Sequence, residues 1–219
     1  MHPLPNELIV ALSSQEQLLL MRKARLIELK TSDLLINSEL GQSLVYFITS
    51  GSVALFVSLK EGDLSKGLSV GLIGNEGAVG LQAALGIHSS HLNLIVQSPG
   101  FAYVVEARYL QSLIKRYPNM LIIFSRYLWV MYEEVCKITA LSHNQDIKLR
   151  LIHWLLISYQ RCNSKPLFMT HEHISRMLGV RRASISLAAN FLKSKHLIDY
   201  SRGYIRSLDL AGLERLMKV

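Results

Sequence analysis

The fold of the C-terminal third is decided by residues 169–205, which read MTHEHISRMLGVRRASISLAANFLKSKHLIDYSRGYI. A short helix is predicted first, because Thr170 is a suitable N-cap and Gly179 suits the left-handed conformation that ends a helix. A second helix is predicted over about 181–194, followed by a hairpin around Arg202-Gly203. Helix, turn, helix and hairpin is the order of a winged helix-turn-helix.

The second predicted helix has two different sides. One side is an apolar stripe at helical spacing that would pack against a core, formed by Ile185, Ala188, Ala189 and Leu192. The opposite side is short and nearly uncharged, with Ala183, Leu187, Asn190 and Ser194. A solvated helix surface would carry Lys and Glu pairs instead. This side therefore suits close approach to another surface.

Arg181 and Arg182 stand at the start of this helix, where the helix dipole already presents positive charge. This placement predicts an anionic partner. A helix in the DNA major groove reads bases chiefly with its N-terminal residues, and arginine is the usual partner of guanine O6 and N7. Thr170 could bind a phosphate as well as cap its helix. We therefore expect double-stranded DNA as the partner.

The charge distribution agrees with this expectation. Residues 1–141 contain 11 Lys and Arg against 11 Asp and Glu, whereas residues 142–219 contain 13 against 5. The net charge of +8 therefore lies entirely in the second segment. A solvated basic surface is the alternative, but so complete a separation favours a basic module with a polyanionic partner.

Composition excludes several other classes of protein. Half of the 219 residues are hydrophobic, which indicates a folded core rather than general disorder. The apolar stretches Met120–Phe124 and Tyr127–Tyr132 are separated by Ser125 and Arg126 and are too short to span a bilayer, and no signal-peptide pattern is present. We expect a soluble, cytoplasmic protein without a membrane partner. Cys136 and Cys162 are the only cysteines, which excludes a disulfide framework.

The N-terminal half predicts β-structure after an initial helix. The first 30 residues are predicted to be helical. Residues 13–29, SSQEQLLLMRKARLIEL, begin with two serines at positions suited to an N-cap. Hairpin turns are predicted at Ser50-Gly51, within LVYFITSGSVALFVSL, and at Pro99-Gly100. Glycines recur between these runs, at Gly67, Gly71, Gly74, Gly77, Gly80 and Gly86. Many short strands at close spacing predict a small antiparallel barrel or jelly roll.

After Glu106 the apolar residues recur at the spacing of a helix. One helix is predicted to end at Pro118, and about six turns of a second helix follow. Apolar residues cover nearly the whole circumference of this second helix, so it must be buried against more than its own domain. It either crosses a core or pairs with a second copy, and we favour a homodimer because twofold dimers are the commonest oligomers.

In chain order, LVYFITSGSVAL, GLIGNEGAVGL, the long apolar helix and the stretch quoted first resemble the CRP/FNR family of bacterial transcription regulators. The likeness covers nearly the whole chain and is strongest over 167–208. It implies an α+β fold with a cupin-like effector domain at 1–117, a dimerisation helix at 118–142 and a winged helix-turn-helix at 143–219. It also implies RNA polymerase as a partner.

The resemblance also implies DNA-contacting positions. Arg182 matches the main base-reading arginine of the family, and Thr170 and His171 match phosphate-contacting positions. The full set of candidates is Thr170, His171, Arg181, Arg182, Ser184, Ser186, Leu187 and Asn190. The best-known members carry a glutamate and an arginine where this chain has Ala183 and Leu187. A different DNA sequence is therefore expected, since Leu187 could contact only a thymine methyl group.

Gly74, Glu76 and Gly77 match the glycine-rich turn of cyclic-nucleotide-binding members, a possible effector pocket. Those members use a following Arg-Ser pair to hold the phosphate, yet residues 77–106 contain no Lys or Arg. Because charge-assisted bonds normally hold such a phosphate, we do not expect cyclic AMP to control this protein. Backbone N–H groups could replace the cation, so a cyclic-nucleotide-responsive regulator stays an alternative. Turn geometry is the favoured explanation of the glycines.

Other cofactors have little support in the sequence. No cysteine precedes Cys136, so the N-terminal iron–sulfur cluster of some members is not expected. His88 and His91 are expected to be exposed loop residues rather than haem ligands. A cupin-type metalloenzyme with a basic tail is an alternative, and it would need His88, His91 and Glu76 as metal ligands. A helix-turn-helix that binds only proteins is a further alternative. We predict no catalytic residue and no enzyme, and the effector and direction of regulation stay open.

Overall fold

A computed structural model describes residues 6–35, 38–39, 42–58, 67–87, 92–143, 146–162, 167–201 and 204–217. The N-terminal lobe contains α1 (Glu7–Val10), α2 (Ser14–Met21), β1 (Arg25–Leu29), β2 (Leu34–Leu35), β3 (Ser38–Glu39), β4 (Gln42–Ser58), β5 (Gly67–Ile73), β6 (Ala78–Val79), α3 (Leu81–Ala84), β7 (Leu92–Glu106) and α4 (Ala107–Arg116). The long helix α5 (Pro118–His143) follows. The C-terminal lobe contains α6 (Ile147–Arg161), β8 (Leu167–Phe168), α7 (His171–Leu178), α8 (Arg182–Ser194), β9 (Ile198–Ser201), β10 (Tyr204–Leu208) and α9 (Leu210–Met217).

Strands β4 and β7 organise the N-terminal sheet, because they pair with each other along most of their length. In one half of the sheet β1 pairs with β7 and β6 pairs with β4. In the other half β2 pairs with β7 and β5 pairs with β4. All of these pairings are antiparallel, as predicted. Phe47 from one half and Val96 from the other are fully buried in the same core cluster.

Two predicted hairpin turns are wrong. Strand β4 runs through Ser50-Gly51 without interruption, and β7 likewise runs through Pro99-Gly100. The pairing register between the two strands shifts at this level. Gly51 has a φ of +76°, and a Cβ there would lie 2.5 Å from the carbonyl oxygen of Ser98. These glycines mark bulges at which paired strands bend, since bulges and turns favour the same residue types.

The prediction of helix throughout the first 30 residues is only partly right. The predicted serine cap is confirmed, because Ser13 and Glu16 form a capping box at the start of α2. However, α2 ends at Met21, and residues 25–29 form β1 instead. This strand pairs with residues 100–104 of β7. A tertiary contact across the sheet therefore overrides the local helical pattern.

Helix α5 buries one side and exposes the other. Met120, Phe124, Tyr127 and Met131 belong to the core cluster of the N-terminal lobe. On the opposite side, large apolar side chains face solvent, with Trp129 62% exposed and Tyr132 58% exposed. The nearly continuous apolar circumference read from the sequence therefore corresponds to one packed side and one uncovered side.

The order of the C-terminal elements is that of the predicted winged helix-turn-helix, so the predicted α+β class is confirmed. Strands β8, β10 and β9 form a small antiparallel sheet beside α8. The predicted turn at Arg202-Gly203 lies outside the described residues. Among the helices in the described ranges, none has the length and hydropathy that crossing a membrane requires. The division at 117/118 and 142/143 stays a prediction.

Candidate nucleic-acid interface

Helix α7 begins and ends as predicted. The Thr170 hydroxyl accepts a hydrogen bond from the His173 backbone N–H at 3.0 Å, which is N-cap geometry. Gly179 follows the last residue of α7 in the left-handed conformation, with φ +62° and ψ +36°. Ile174 and Met177 are buried on the side that faces the C-terminal core. The caps thus fix the short turn that leads into α8.

The two sides of α8 lie as the sequence predicts. The stripe of Ile185, Ala188, Ala189 and Leu192 is buried in the core of the C-terminal lobe. The opposite side, with Ala183, Leu187, Asn190 and Ser194, is exposed. Leu187 is 72% exposed, the largest value among the exposed apolar side chains of the described residues. An apolar, uncharged helix side that faces solvent is typical of a contact surface.

Two exposed cations stand at the N-terminal end of this surface. Arg181 is the N-cap residue of α8 and Arg182 is its first residue, and both are exposed. The first turn of α8 contains no acidic residue, and neither arginine forms an ion pair within the described part of the chain. Their charges add to the positive end of the helix dipole without an internal counterion. The start of α8 is therefore positively charged and open to solvent.

His171 connects α7 to α8 and to the wing. Its Nδ1 lies 2.9 Å from the Ser186 hydroxyl, and its ring stacks on Tyr200 with centroids 4.5 Å apart. The Ser186 hydroxyl also lies 3.2 Å from the Arg182 carbonyl oxygen, to which it donates. With the hydroxyl donating to Arg182, its oxygen is free to accept from an N–H at Nδ1 of His171. Burial, and the nearby charge of Arg182, lower the pKa of His171, which favours a neutral ring.

The remaining candidate residues lie on α8. Ser184 and Ser186 are half-buried near the start of α8, and Asn190 is exposed two turns further along. Of the eight candidates, Thr170 and His171 thus lie at the start of α7, and the other six lie between the N-cap and the third turn of α8. Tyr200 is the residue that sequence reasoning missed. Its contact with His171 depends on how β9, which pairs with β10, packs against α8, and a predicted hairpin does not by itself specify that packing.

The glycine-rich turn is occupied by contacts within the protein. The Gly74 N–H donates to both carboxylate oxygens of Glu76, at 3.0 and 3.1 Å. Arg161, at the end of α6, forms an ion pair with the same carboxylate. A Cβ at Gly77 would lie 2.1 Å from the Tyr127 hydroxyl oxygen, and burial raises the pKa of that phenol. Neither Arg161 nor Tyr127 could be assigned to this turn from the sequence, because both are distant from it along the chain.

Of the three candidate metal ligands of the enzyme alternative, Glu76 alone lies within the described residues, in the glycine-rich turn. His88 and His91 lie outside the described residues. In the parts of the chain that are described, no three His, Cys, Asp or Glu side chains form a group that could hold a metal ion. His173 is half-buried, and burial together with Arg176 lowers its pKa to about 4. It is therefore neutral at physiological pH.

The comparison with known families agrees with this geometry. Residues 149–216, which span α6 to α9, match the family described as the Crp-like helix-turn-helix domain. The C-terminal lobe is a Crp-like helix-turn-helix domain. This assignment includes the buried stripe of α8 and the cap residues Thr170 and Gly179.

Solved structures show that the likeness extends to the N-terminal lobe. A transcriptional regulator of the CRP/FNR family from Eubacterium rectale superimposes with a TM-score of 0.71 at 18% identity, covering 97% of this chain and 98% of its own. The c-di-GMP-responsive regulator CLP of Xanthomonas campestris gives 0.67 at 14% identity, with 90% and 99% covered. A CooA mutant from Carboxydothermus hydrogenoformans gives 0.65 at 16% identity, with 99% and 97% covered.

The resemblance to the CRP/FNR family read from the sequence is therefore confirmed at the level of fold, over nearly the whole chain. A search of curated protein sequences finds no significant match. The Crp-like domain thus follows a β-rich lobe and a long helix along the chain, as the sequence predicted.

Proposed function

We propose that this protein is a homodimeric transcription regulator that binds a specific sequence of double-stranded DNA through α8. One observation carries the proposal. The side of α8 formed by Ala183, Leu187, Asn190 and Ser194 is exposed and carries no charge. Arg181 and Arg182 stand at its start, and their charges have no counterion among the described residues. In a Crp-like helix-turn-helix domain, this surface suits the major groove. RNA polymerase is the proposed protein partner, and no catalytic activity is proposed.

Each candidate residue has a chemical role in this proposal. The exposed guanidinium of Arg182 donates two hydrogen bonds to O6 and N7 of a guanine. Arg181 and the hydroxyl groups near the start of α8 bind phosphates or neighbouring bases. Leu187 contacts a thymine methyl group, and Asn190 lies at the edge of the same surface. His171 is neutral and half-buried, so we assign it mainly to holding the α7–α8 geometry.

The proposed dimer is formed by the uncovered side of α5. Ile122, Trp129 and Cys136 are exposed and follow one another at intervals of seven residues. Tyr132 is exposed beside them, and its ring lies 5.5 Å from that of Trp129. Apolar residues at heptad spacing form the seam of a coiled coil. A second copy of α5, related by a twofold axis, would cover this seam and place two α8 helices on one face of the dimer.

Cys136 provides a direct test of this dimer. In a parallel pairing, equivalent heptad positions of the two copies face each other, at a separation that a disulfide can bridge. Mild oxidation of dilute protein is expected to give a covalent dimer on a non-reducing gel. The Cys136→Ser variant should remain monomeric on the gel, whereas Cys162→Ser, which removes a buried thiol, should cross-link normally. Equal cross-linking in Cys136→Ser would contradict the proposed seam.

We also infer that cyclic AMP does not control this protein. The Glu76 carboxylate is bound by Gly74 and Arg161, and the side chain of Tyr127 covers Gly77. In addition, residues 77–106 offer no Lys or Arg to a phosphate. A ligand would have to displace these internal contacts before it could occupy the turn. These contacts favour control by another effector, or by none.

Thermal unfolding tests this inference. We expect the Tm of the protein to be unchanged by millimolar cyclic AMP. A ligand present at 100 times its Kd would instead stabilise the folded state by about 2.7 kcal/mol. A saturable rise of Tm with cyclic AMP would support the cyclic-nucleotide alternative. The Glu76→Gln variant should then lose that rise, because the carboxylate would be a ligand contact.

A further inference from the structure

The C-terminal lobe is held against the N-terminal lobe by the end of α6. Nη1 of Arg161 donates to the Leu72 carbonyl oxygen at 2.7 Å and to the Glu76 carboxylate. The side chains of this pair are only 14% and 25% exposed. A Cβ at Gly74 would lie 2.3 Å from the Arg161 carbonyl oxygen, so the turn and the helix end also touch through their main chains.

A second polar contact lies one turn earlier on the same helix. Nε2 of Gln97, in β7, donates to the Ser158 hydroxyl at 3.1 Å, and both residues are fully buried. Ser158 and Arg161 are three positions apart, so they face the same way from α6. The same side of one helix therefore meets the N-terminal sheet at two points, in β7 and in the turn after β5.

Apolar side chains fill the space around these polar contacts. Phe56, Leu72 and Ile95 of the N-terminal sheet are buried in one cluster with Trp154 and Met177 of the C-terminal lobe. The turn between α7 and α8 also rests on the sheet, since a Cβ at Gly179 would lie 3.2 Å from the Gly67 carbonyl oxygen. The helix-turn-helix thus contacts β5 directly. Its orientation relative to the N-terminal lobe is fixed through α6 and through this turn.

This docking leaves the DNA-facing surface open. Arg181, Arg182, Leu187 and Asn190 are exposed although the two lobes are in contact. Helix α5 is itself packed on the N-terminal lobe through Phe124 and its neighbours. The packing of the two lobes therefore connects α8 rigidly to the helix that carries the proposed dimer seam.

We propose that Arg161 and Glu76 are positioning residues for DNA recognition: their ion pair fastens the C-terminal lobe to the N-terminal lobe, so that a dimer presents its two α8 helices at one fixed spacing. This proposal rests on the proposed function. Removing the arginine of this mostly buried pair would leave the Glu76 charge without its cation, bound only by the Gly74 N–H. A lobe whose docking is loosened in this way still has an intact α8. It loses only the pre-organisation that lets two copies bind two half-sites together.

The test compares two duplexes. The first is the best duplex selected by the wild-type protein from a random library, and the second retains only one of its half-sites. We expect Arg161→Ala to lower affinity for the two-site duplex by roughly tenfold, with affinity for the single half-site unchanged. Arg161→Lys, which keeps the charge, should recover most of the affinity. Arg215→Ala is the matched control, because it removes an exposed ion pair, to Asp209, within the same lobe.

A second measurement follows the packing of the two lobes without DNA. Trp154 is fully buried where the lobes meet, and Trp129→Phe leaves it as the sole tryptophan of the chain. Arg161→Glu in that background should shift its emission to longer wavelength. Adding Glu76→Arg, which restores opposite charges, should reverse much of this shift.

The outcomes separate the two proposals. Failure of the wild-type protein to select any duplex would overturn the proposed function. The positioning role is overturned by an equal decrease in affinity for both duplexes, which indicates general damage to the lobe. It is also overturned by unchanged affinity for the two-site duplex, or by an increase, which would make the docked arrangement inhibitory.

Discussion

Raising the salt concentration from 50 to 200 mM is expected to weaken DNA binding by about 10³–10⁵-fold, for about 6–10 phosphate contacts per dimer. The reason is that the entire net charge of +8 lies in residues 142–219. Each of these cations that binds a phosphate releases a condensed counterion, and salt opposes that release. The measurement is the slope of log K against log salt for one duplex, obtained by fluorescence anisotropy.

Lys115→Ala is the matched control for this slope. Lys115 is exposed on α4 in the N-terminal lobe, so its removal changes the net charge but should leave the slope unchanged. Arg181→Ala should instead reduce the slope by about one for each phosphate that the variant no longer neutralises. A slope near zero for the wild-type protein would support the alternative in which the helix-turn-helix binds only protein partners.

Replacing Arg182 by alanine is expected to cost about 1–3 kcal/mol at each half-site. Because a dimer would use two half-sites, the decrease in binding free energy on a palindromic duplex should be about 2–6 kcal/mol if the sites act independently. The cause is the removal of a two-pronged hydrogen bond to guanine, for which alanine offers no substitute. Competition between the selected duplex and single-base variants measures both the affinity and the preference at each base pair.

The Arg182→Ala variant should lose preference at one base pair per half-site and keep it elsewhere. Its fold is expected to be intact, since Arg182 is exposed and forms no ion pair among the described residues. Lys115→Ala again serves as the control for a change of charge alone. Full affinity with unchanged base preference in Arg182→Ala would show that α8 is not the recognition helix.

The C-terminal lobe could be predicted from the sequence because its signals are local. Thr170 caps the helix that starts one residue later, and Gly179 ends it. The buried stripe of α8 recurs at helical spacing, so four positions within about two turns suffice to orient the helix. In each case the physical cause and its sequence signal lie within one or two turns of each other.

The N-terminal lobe was predicted less well because its structure depends on distant pairing. Residues 25–29 continue a helical pattern, yet they form a strand because β7, about 75 residues later, offers a partner. Gly51 and Gly100 indicated turns, whereas each lies at a bend within a long strand. Only the partner strand distinguishes a bulge from a hairpin turn.

The contacts around the candidate sites could not be predicted from the sequence either. Arg161 and Glu76 are 85 positions apart, and neither position carries a signal for the other. The sequence shows that residues 77–106 contain no Lys or Arg. It did not reveal that a cation reaches the glycine-rich turn from α6. Contacts of this kind follow from the packing of lobes and not from local sequence.

Parallel selection of DNA by the wild-type and Arg182→Ala proteins from one random-sequence library, at low salt, tests the central claim most directly. The wild-type protein is expected to enrich a palindrome whose half-sites are about 34 Å apart, centre to centre. The variant should enrich the same palindrome without the preference at one guanine-containing base pair in each half. Enrichment of no sequence by the wild-type protein, or of an identical motif by both proteins, would contradict this claim.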